Sequence, residues 1–284
     1  MLSYRHGFHA GNHADVLKHM TLCLILRALN AKDKPYTIID THSGAGLYDL
    51  SSGFARKTDE AQTGWFKIAD NARLQELVPE YYQVCAAAHK VPDAAPNMYP
   101  GSPFFEYELS RLQDTIFVND AHPAEFESLL AIFKRTRNVR VELRTCDKTI
   151  AALLPPLKKR GLIFIDPPYE DEKEYRQTVD AVKKGLQRFE QGIYVIWYPV
   201  LARLKDHSRK LVQAVRRLNR PLLQVELCVE AQAEDFGMCG SGMLVVNYPY
   251  KLEEQLEPIV DELYHQLCDP EQGSAKLEIL NEKA

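Results

Sequence analysis

An aspartate, two prolines and a tyrosine stand in a row at Asp166-Pro167-Pro168-Tyr169, directly after the apolar residues Leu162 to Ile165. The prolines fix two φ angles and supply no N–H, so the main-chain carbonyls here, that of Pro167 included, are held rigidly and stay free to accept hydrogen bonds. A carboxylate, a fixed carbonyl and the flat ring of Tyr169 suit a planar ring that carries an exocyclic amino group. The amine donates two hydrogen bonds while the ring stacks on the tyrosine. The same tetrapeptide also suits a strand end closed by a tight proline turn, so other residues must decide between the two readings.

Further acids fall at the ends of strand-like stretches: Asp40, Asp120 and Asp147. Each alone serves equally well as a cap for the next helix. Asp40 is followed by His42-Ser43-Gly44-Ala45-Gly46, and glycines two apart after a buried strand let the main chain turn sharply and approach a ligand. The third glycine of the dinucleotide fingerprint is missing, as is the lysine of a phosphate-binding loop, which points away from NAD and ATP. The four acids and the glycine turn together describe a pocket for a ribose diol and an adenine with no phosphate site, the shape S-adenosylmethionine requires. At the amino terminus, Tyr4, Arg5, His6, Phe8, His9, Asn12 and His13 crowd aromatic and basic groups together, with Lys18 and His19 one turn into the helix that follows. The histidines lack the carboxylate-plus-histidine spacing of a metal-binding helix, so no metal is expected.

These residues need a parallel sheet to position them. Leu162 to Ile165, bounded by Gly161 and the prolines, has the length and purity of a strand buried on both faces. Strands are also expected over 36–41, 115–119, 138–144, 193–198, 222–229 and 243–248. The last two are joined by a short Gly- and Ser-containing segment, so they should be antiparallel neighbours. That makes seven strands, all but the last parallel. Asn12 caps a helix running to about Ala31 by the spacing of Val16, Leu17, Met20, Leu24, Ile25 and Leu29. Other helices are expected over 104–112 (Ser102 as cap, Pro103 as first residue), 123–134, 172–189, 200–218 and 252–268, with a mobile tail after Asp269. Asp120 comes 80 positions after Asp40, where a ribose-gripping acid normally follows by about 20. Residues 50 to 100 are therefore expected to be a helical insertion between the first and second strands of a single domain spanning 1–284, with 1–35 as an N-terminal closing segment and helix.

The chain has 284 residues, 45% of them hydrophobic and 26% charged, as in an ordinary globular protein. A net charge of -4 argues against a protein that coats nucleic acid indiscriminately, although basic runs occur at 134–144, 158–160 and 203–220. Six cysteines without a Cys-x-x-Cys pair are expected as reduced thiols of a cytoplasmic protein. No apolar run is long enough to span a bilayer.

Strand, acid, Gly-x-Gly, ribose acid and Asp-Pro-Pro-Tyr, with a seventh antiparallel strand, resemble a class I (Rossmann-like) methyltransferase acting on an exocyclic amine. From Met1 to about Gln255 the chain is similar to the bacterial ribosomal RNA large subunit methyltransferase J (RlmJ) family, which makes N6-methyladenine in 23S rRNA. The motifs that carry this resemblance are Leu-Ser-Tyr-Arg-His at 2–6, Phe-His-Ala-Gly-Asn-His-Ala-Asp-Val-Leu-Lys-His at 8–19, the turn Asp40 to Gly46, Tyr-Pro-Gly-Ser-Pro at 99–103, Ile-Asp-Pro-Pro-Tyr at 165–169, Trp-Tyr-Pro at 197–199 and Ser-Gly-Met at 241–243. The resemblance implies that Lys18, His19, His42, Ser102, Asp120 and Asp147 contact S-adenosylmethionine, with Asp40, Gly44, Gly46 and the Lys148 main chain beside them. It implies that Asp166 is the catalytic acceptor and that Tyr4 and His6 meet the RNA. The chain departs from the family pattern at Asp120, where glutamate also occurs, and at Lys148, where glycine also occurs. Direct transfer to a flipped-out adenine is the expected mechanism, with Asp166 and a proline carbonyl accepting from the amino group and Tyr169 stacking. The expected partner is 23S rRNA, naked or in an early assembly intermediate, met by a monomer. The motif does not separate RNA from DNA adenine methylation. A non-catalytic rRNA-binding assembly factor and a metal hydrolase using the N-terminal histidines are the other readings.

Overall fold

No residue of Leu162 to Ile165 is more than 1% exposed, and with Gly161 they build strand β6 (Gly161–Ile165), which has parallel neighbours on both sides. In the computed structural model, which describes residues 6–53, 59–91 and 95–282, β6 lies between β1 (Thr37–Asp40) and β7 (Ile193–Leu201). Beyond β1 come β4 (Thr115–Asp120) and β5 (Val139–Leu143), both parallel to it. Beyond β7 come β9 (Met238–Val246), β8 (Leu222–Cys228) and β10 (Ser274–Asn281), each antiparallel to its inner neighbour. The chain moves from β1 toward one edge and from β6 toward the other. The carboxyl ends of β1 and β6 therefore form the switch point at which open α/β sheets take ligands. This is the class I methyltransferase arrangement, a largely parallel sheet with an antiparallel β9 inserted beside β7.

Helix α1 (His13–Asn30) is capped by Asn12, whose side chain accepts from Asp15 N at 3.0 Å. Its apolar residues cover nearly the whole circumference, and such a helix must be enclosed. It is covered by β9, by α5 (Ser102–Leu109) and by α10 (Leu252–Leu267). Burying each of Leu17, Leu22, Leu24 and Ile25 contributes about 1.5–3 kcal/mol, and this fixes the second turn, with Lys18 and His19, above the sheet switch point. Between β1 and β4 the chain forms a short 3₁₀ turn, Glu60–Thr63, then α2 (Trp65–Ile68), α3 (Ala72–Leu77) and α4 (Pro79–Ala88). An antiparallel ribbon of β2 (Leu47–Asp49) and β3 (Met98–Pro100), which the sequence reading does not anticipate, frames this segment. The outer helices are α6 (Pro123–Phe133), α7 (Cys146–Leu153), α8 (Glu172–Arg188) and α9 (Ser208–Arg216).

The structure corrects several sequence expectations. Among the described residues the sheet has eight strands, because the expected mobile tail forms β10, which pairs along β8 and covers what would be an open edge. The Gly- and Ser-containing segment before Met243 is part of β9, and its glycines are required there by close approach. A Cβ on Gly240 would lie 2.3 Å from the Leu227 carbonyl oxygen, and one on Gly242 would lie 2.2 Å from the Tyr198 ring. Strand β7 runs on to Leu201, so the basic helix starts at Ser208 rather than at 200. Asp147 lies in the first turn of α7 rather than at a strand end. The run Lys158 to Arg160 enters β6 from the amino-terminal end of the strand, the end away from Asp166. There Arg160 donates to the carbonyls of Leu29 and Lys34 and so fastens the underside of the sheet.

Glu106 in α5 is fully buried, and neither carboxyl oxygen has a hydrogen-bond partner. Burial, with the nearby Asp40, pushes its carboxyl well above the ordinary value near 4.5. The unfolded chain ionises this residue from pH 4.5 upward while the folded chain keeps the proton, so stability falls as pH rises through that interval. Glu106→Gln is expected to match the wild-type urea midpoint near pH 4.5 and to exceed it at pH 8. A difference that does not change with pH contradicts a neutral Glu106.

Candidate active site

Pro167 and Pro168 end β6, and Tyr169 then takes a left-handed conformation with φ 51°, which turns its side chain back into the protein. The Tyr169 hydroxyl donates to the Trp197 carbonyl at 2.9 Å, and its ring centre lies 4.3 Å from that of Tyr175. Only 5% of Tyr169 is exposed. It is a fixed wall of a cavity. Trp197, near the carboxyl end of the neighbouring strand, lines the same cavity, and its Nε1–H has no hydrogen-bond partner among the described residues.

Asp166 faces a buried cation. Lys18 Nζ lies 2.6 Å from Asp166 Oδ2 and 2.9 Å from Asp15 Oδ1, with the Trp197 ring centre 5.3 Å away. Asp15 Oδ2 also accepts from His6 Nε2 and from Gly11 N, each at 2.9 Å. Burial opposes ionisation of both Lys18 and Asp15. The pairing with Asp15 and Asp166 more than offsets it for Lys18, whose ammonium is raised. His6 and Lys18 do the same for Asp15, whose carboxyl is held well below the usual range. The result is a linked chain, His6, Asp15, Lys18, Asp166, in which Asp166 Oδ1 accepts no hydrogen bond from the described residues.

Two cavities meet at this chain. The first has a volume of about 100 Å³ and is walled by His19, His42, Gly44, Tyr48, Ser102, Asp120, His122 and Glu125. The second has a volume of about 550 Å³ and is walled by His9, His13, Tyr169, Trp197, Pro199 and Phe236, among others. His6, Lys18, Asp166 and Pro168 line both. A carboxylate at such a junction can accept a hydrogen bond or a proton from a group in one cavity while that group faces an electrophile in the other.

The glycine turn builds the first cavity. Gly44 has φ 58° and Gly46 φ 81°, and a Cβ on Gly44 would lie 2.2 Å from Tyr48 Oη, so only glycine fits. Gly44 N donates to Asp120 Oδ2 at 2.9 Å and His122 N to Asp120 Oδ1 at 2.7 Å, which fixes that carboxylate at the cavity wall. His42 is kept neutral by burial, and burial pulls His19 down to about 3. His19 stacks on Phe105, and its Nδ1 lies 3.1 Å from the Tyr99 hydroxyl.

Several residues singled out from the sequence lie elsewhere. Asp40 is fully buried and off the cavity wall. It accepts from Ser102 Oγ at 2.7 Å and from His42 N at 3.0 Å, and burial pushes its carboxyl up to about 7 despite those bonds. Asp40 thus ties the two sides of the cavity together. Ser102 is not the helix cap expected of it. Gly101 takes that position, which frees the serine hydroxyl for Asp40. Gly46 packs beneath the turn against Leu129 and Ile132. Asp147 and Lys148 are exposed at the start of α7 and do not line the cavity. His6 pairs with Asp15 and His9 with Glu60, and among the described residues no group of three or more His, Cys, Asp or Glu is placed to hold a metal ion. Tyr4 lies outside the described residues.

Sequence reasoning missed Asp15, Tyr48 and Trp197. Asp15 had a signal, since it precedes Lys18 by three residues on one helix face. Trp197 had another, its place near the carboxyl end of the strand beside β6.

The chain matches, over residues 33–281, the model of the family described as ribosomal RNA large subunit methyltransferase D, RlmJ. The ribosomal RNA large subunit methyltransferase J of Escherichia coli (strain K12) is 39% identical to it over 276 residues, 97% of each chain. That of Haemophilus influenzae Rd is 38% identical over 279 residues, 98% of each. Among solved structures, the Legionella pneumophila protein LPL1258 is similar with a TM-score of 0.86 and 33% identity, covering 95% of this chain and 98% of the other.

Proposed function

Since the chain belongs to the RlmJ family of ribosomal RNA large subunit methyltransferases, we propose that it moves the methyl group of S-adenosylmethionine to the exocyclic N6 amino group of one adenine in 23S rRNA. The observation that carries this reading is the pair of cavities sharing the wall of Lys18, Asp166 and Pro168. One cavity takes the cofactor, the other the flipped-out base, and Asp166 stands between them.

The donor set of the first cavity fits the cofactor. Asp120, held by two main-chain N–H groups, suits a ribose diol. The Ser102 hydroxyl and the neutral imidazoles of His19 and His42 add polar groups, and the one buried ammonium, Lys18, is already paired with two carboxylates. Asp147 and the Lys148 main chain lie outside this wall, and contact from them is the less supported part of the set. Bound there, S-adenosylmethionine supplies an activated methyl on a sulfonium sulfur.

The chain's own residues do the rest. Lys18 holds Asp166 Oδ2 and so presents Oδ1 to the amino group of the base. With the Pro167 carbonyl as second acceptor, this directs the nitrogen lone pair out of the ring plane. Asp166 stabilises the positive charge that develops on that nitrogen and receives its proton. Tyr169 and Trp197 form the dry wall beside which the base lies, and flipping brings the base to them. His6, which lines both cavities, and Tyr4 are placed with the RNA in this reading.

We read the whole chain as one methyltransferase domain, with the helices of 50–100 as an insertion and 1–35 as the closing segment. It works as a cytoplasmic monomer on naked or early rRNA. Among the described residues no helix is long and apolar enough to cross a membrane. Transfer of labelled methyl to unmodified naked 23S rRNA, to assembled large subunits and to duplex DNA tests the substrate. Naked RNA, or an early particle, is expected to be labelled. Labelling of DNA at a comparable rate overturns the assignment to RNA.

A further inference from the structure

Phe236 is 83% exposed, yet it sits on a well-fastened loop. Ala202 N donates to Gly237 O at 2.9 Å, Arg203 N to Ala233 O at 3.0 Å and Leu204 N to Glu234 O at 3.2 Å. Gln232 Nε2 adds bonds to Leu201 O at 2.7 Å and Asp206 Oδ2 at 3.1 Å. The ring is therefore held at the surface by the structure around it, and its apolar area is available to a ligand that covers it. It lines the same cavity as Asp166 and Tyr169, over a floor of Pro199, Leu201, Val229 and Met238. Lys205 Nζ lies 5.7 Å from the ring centre and lines that cavity as well.

The cavity is also large. Tyr169 and Trp197 in its wall are buried while Phe236 and Lys205 are exposed, which puts these two at the mouth, and its volume of about 550 Å³ exceeds what one purine fills. A base entering this cavity brings the adjoining nucleotide of its strand to the mouth. Exposed aromatic rings beside a lysine take a base on the ring face and a phosphate on the ammonium, with little regard to which base it is.

We propose that the mouth of the second cavity is a subsite for the nucleotide adjoining the target adenine, with Phe236 stacking on its base and Lys205 meeting its phosphate. This rests on the function proposed above. Stacking, rather than reading of base edges, makes the subsite a positioning device: it holds the strand so that the extruded adenine reaches Asp166.

The test uses the full-length enzyme and a hairpin cut from 23S rRNA around the labelled adenine. The same hairpin is also made with an abasic site on the 5′ or the 3′ side of that adenine. On the intact hairpin Phe236→Ala is expected to raise KM about five- to a hundredfold, with kcat changed far less, and Phe236→Trp to restore it. One abasic hairpin should raise the wild-type KM by a similar factor and erase the difference between wild type and Phe236→Ala. Because the side chain is exposed, its removal leaves the fold intact. An unchanged KM on the intact hairpin, or a Phe236→Ala defect of full size on both abasic hairpins, overturns the subsite. The RNA methylation reading itself is overturned at the earlier step, if the wild type labels no adenine in 23S rRNA, naked or in an early particle, from which a hairpin could be cut.

Discussion

Asp166→Asn lowers methyl transfer by about a hundred- to ten-thousandfold while S-adenosylmethionine still binds within a few fold. The substitution keeps shape and one acceptor oxygen, so the base and cofactor can still be held. It removes the negative charge that offsets the positive charge developing on the attacking nitrogen, and it removes the proton acceptor. Both effects act in the transition state and not in the ground state, so the loss belongs in kcat with KM little changed. Single-turnover transfer to naked 23S rRNA gives the rate, and calorimetric titration gives the cofactor affinity. A rate within threefold of wild type would contradict the role given to Asp166. A large loss of cofactor affinity would mean that the carboxylate serves the first cavity rather than the junction.

Lys18→Met is the second large effect, and it is first an effect on stability. The Lys18 side chain is 4% exposed and that of Asp15 1%, and the ammonium bonds both Asp15 and Asp166. Taking one partner from a buried ionic group leaves an uncompensated charge and costs about 3–5 kcal/mol, far more than an exposed pair would. Asp15 retains His6 and Gly11 N, which places the expected loss toward the lower end. The pH dependence follows from Asp15. Its carboxyl is held below the ordinary value of 3.8, so its share of stability is present above pH 3.8 and is lost as pH falls through the folded value. Without Lys18 that carboxyl rises, and on acidification the variant should begin to unfold at a higher pH than the wild type. Urea midpoints at pH 7 and pH 5 measure both effects. Adding Asp15→Asn to the variant should recover part of the loss, because it removes the stranded charge. A loss below 1 kcal/mol at pH 7, or no recovery in the double variant, contradicts the linked chain as drawn.

The sequence disclosed the centre of this molecule better than its margins. Leu162 to Ile165 has the length and purity of a strand enclosed on both faces, and Asp166 behind it and Asp40 at the end of 37–40 mark the switch point, because burial and strand ends leave direct traces in residue type. The margins leave weaker traces. Ser274 to Asn281 is a mostly exposed edge strand whose short alternation reads as a tail until β8 is there to pair with. Gly240 and Gly242 read as a turn because the crowding that demands glycine comes from Leu227 and Tyr198, on other strands.

The site shows the same division. Gly44, Asp120 and Asp166 were legible because a turn and a strand end each have a local signature. Ser102 was misread as a cap because its partner, Asp40, is 62 positions away. The left-handed φ of Tyr169 and its bond to the Trp197 carbonyl, which fix the ring as a cavity wall, are tertiary facts without a local signature. The pairing of Lys18 with Asp166 spans 148 positions, and nothing local in the chain announces it.

The claim on which the rest depends is that a carboxylate between two cavities directs methylation to an exocyclic amine. It is tested most directly by digesting the labelled 23S rRNA to nucleosides and identifying the labelled product by mass spectrometry against synthetic standards. The account predicts N6-methyladenosine as the labelled nucleoside, and none from the Asp166→Asn enzyme on the same timescale. A methyl on a ring nitrogen, a ring carbon or a ribose oxygen would contradict it.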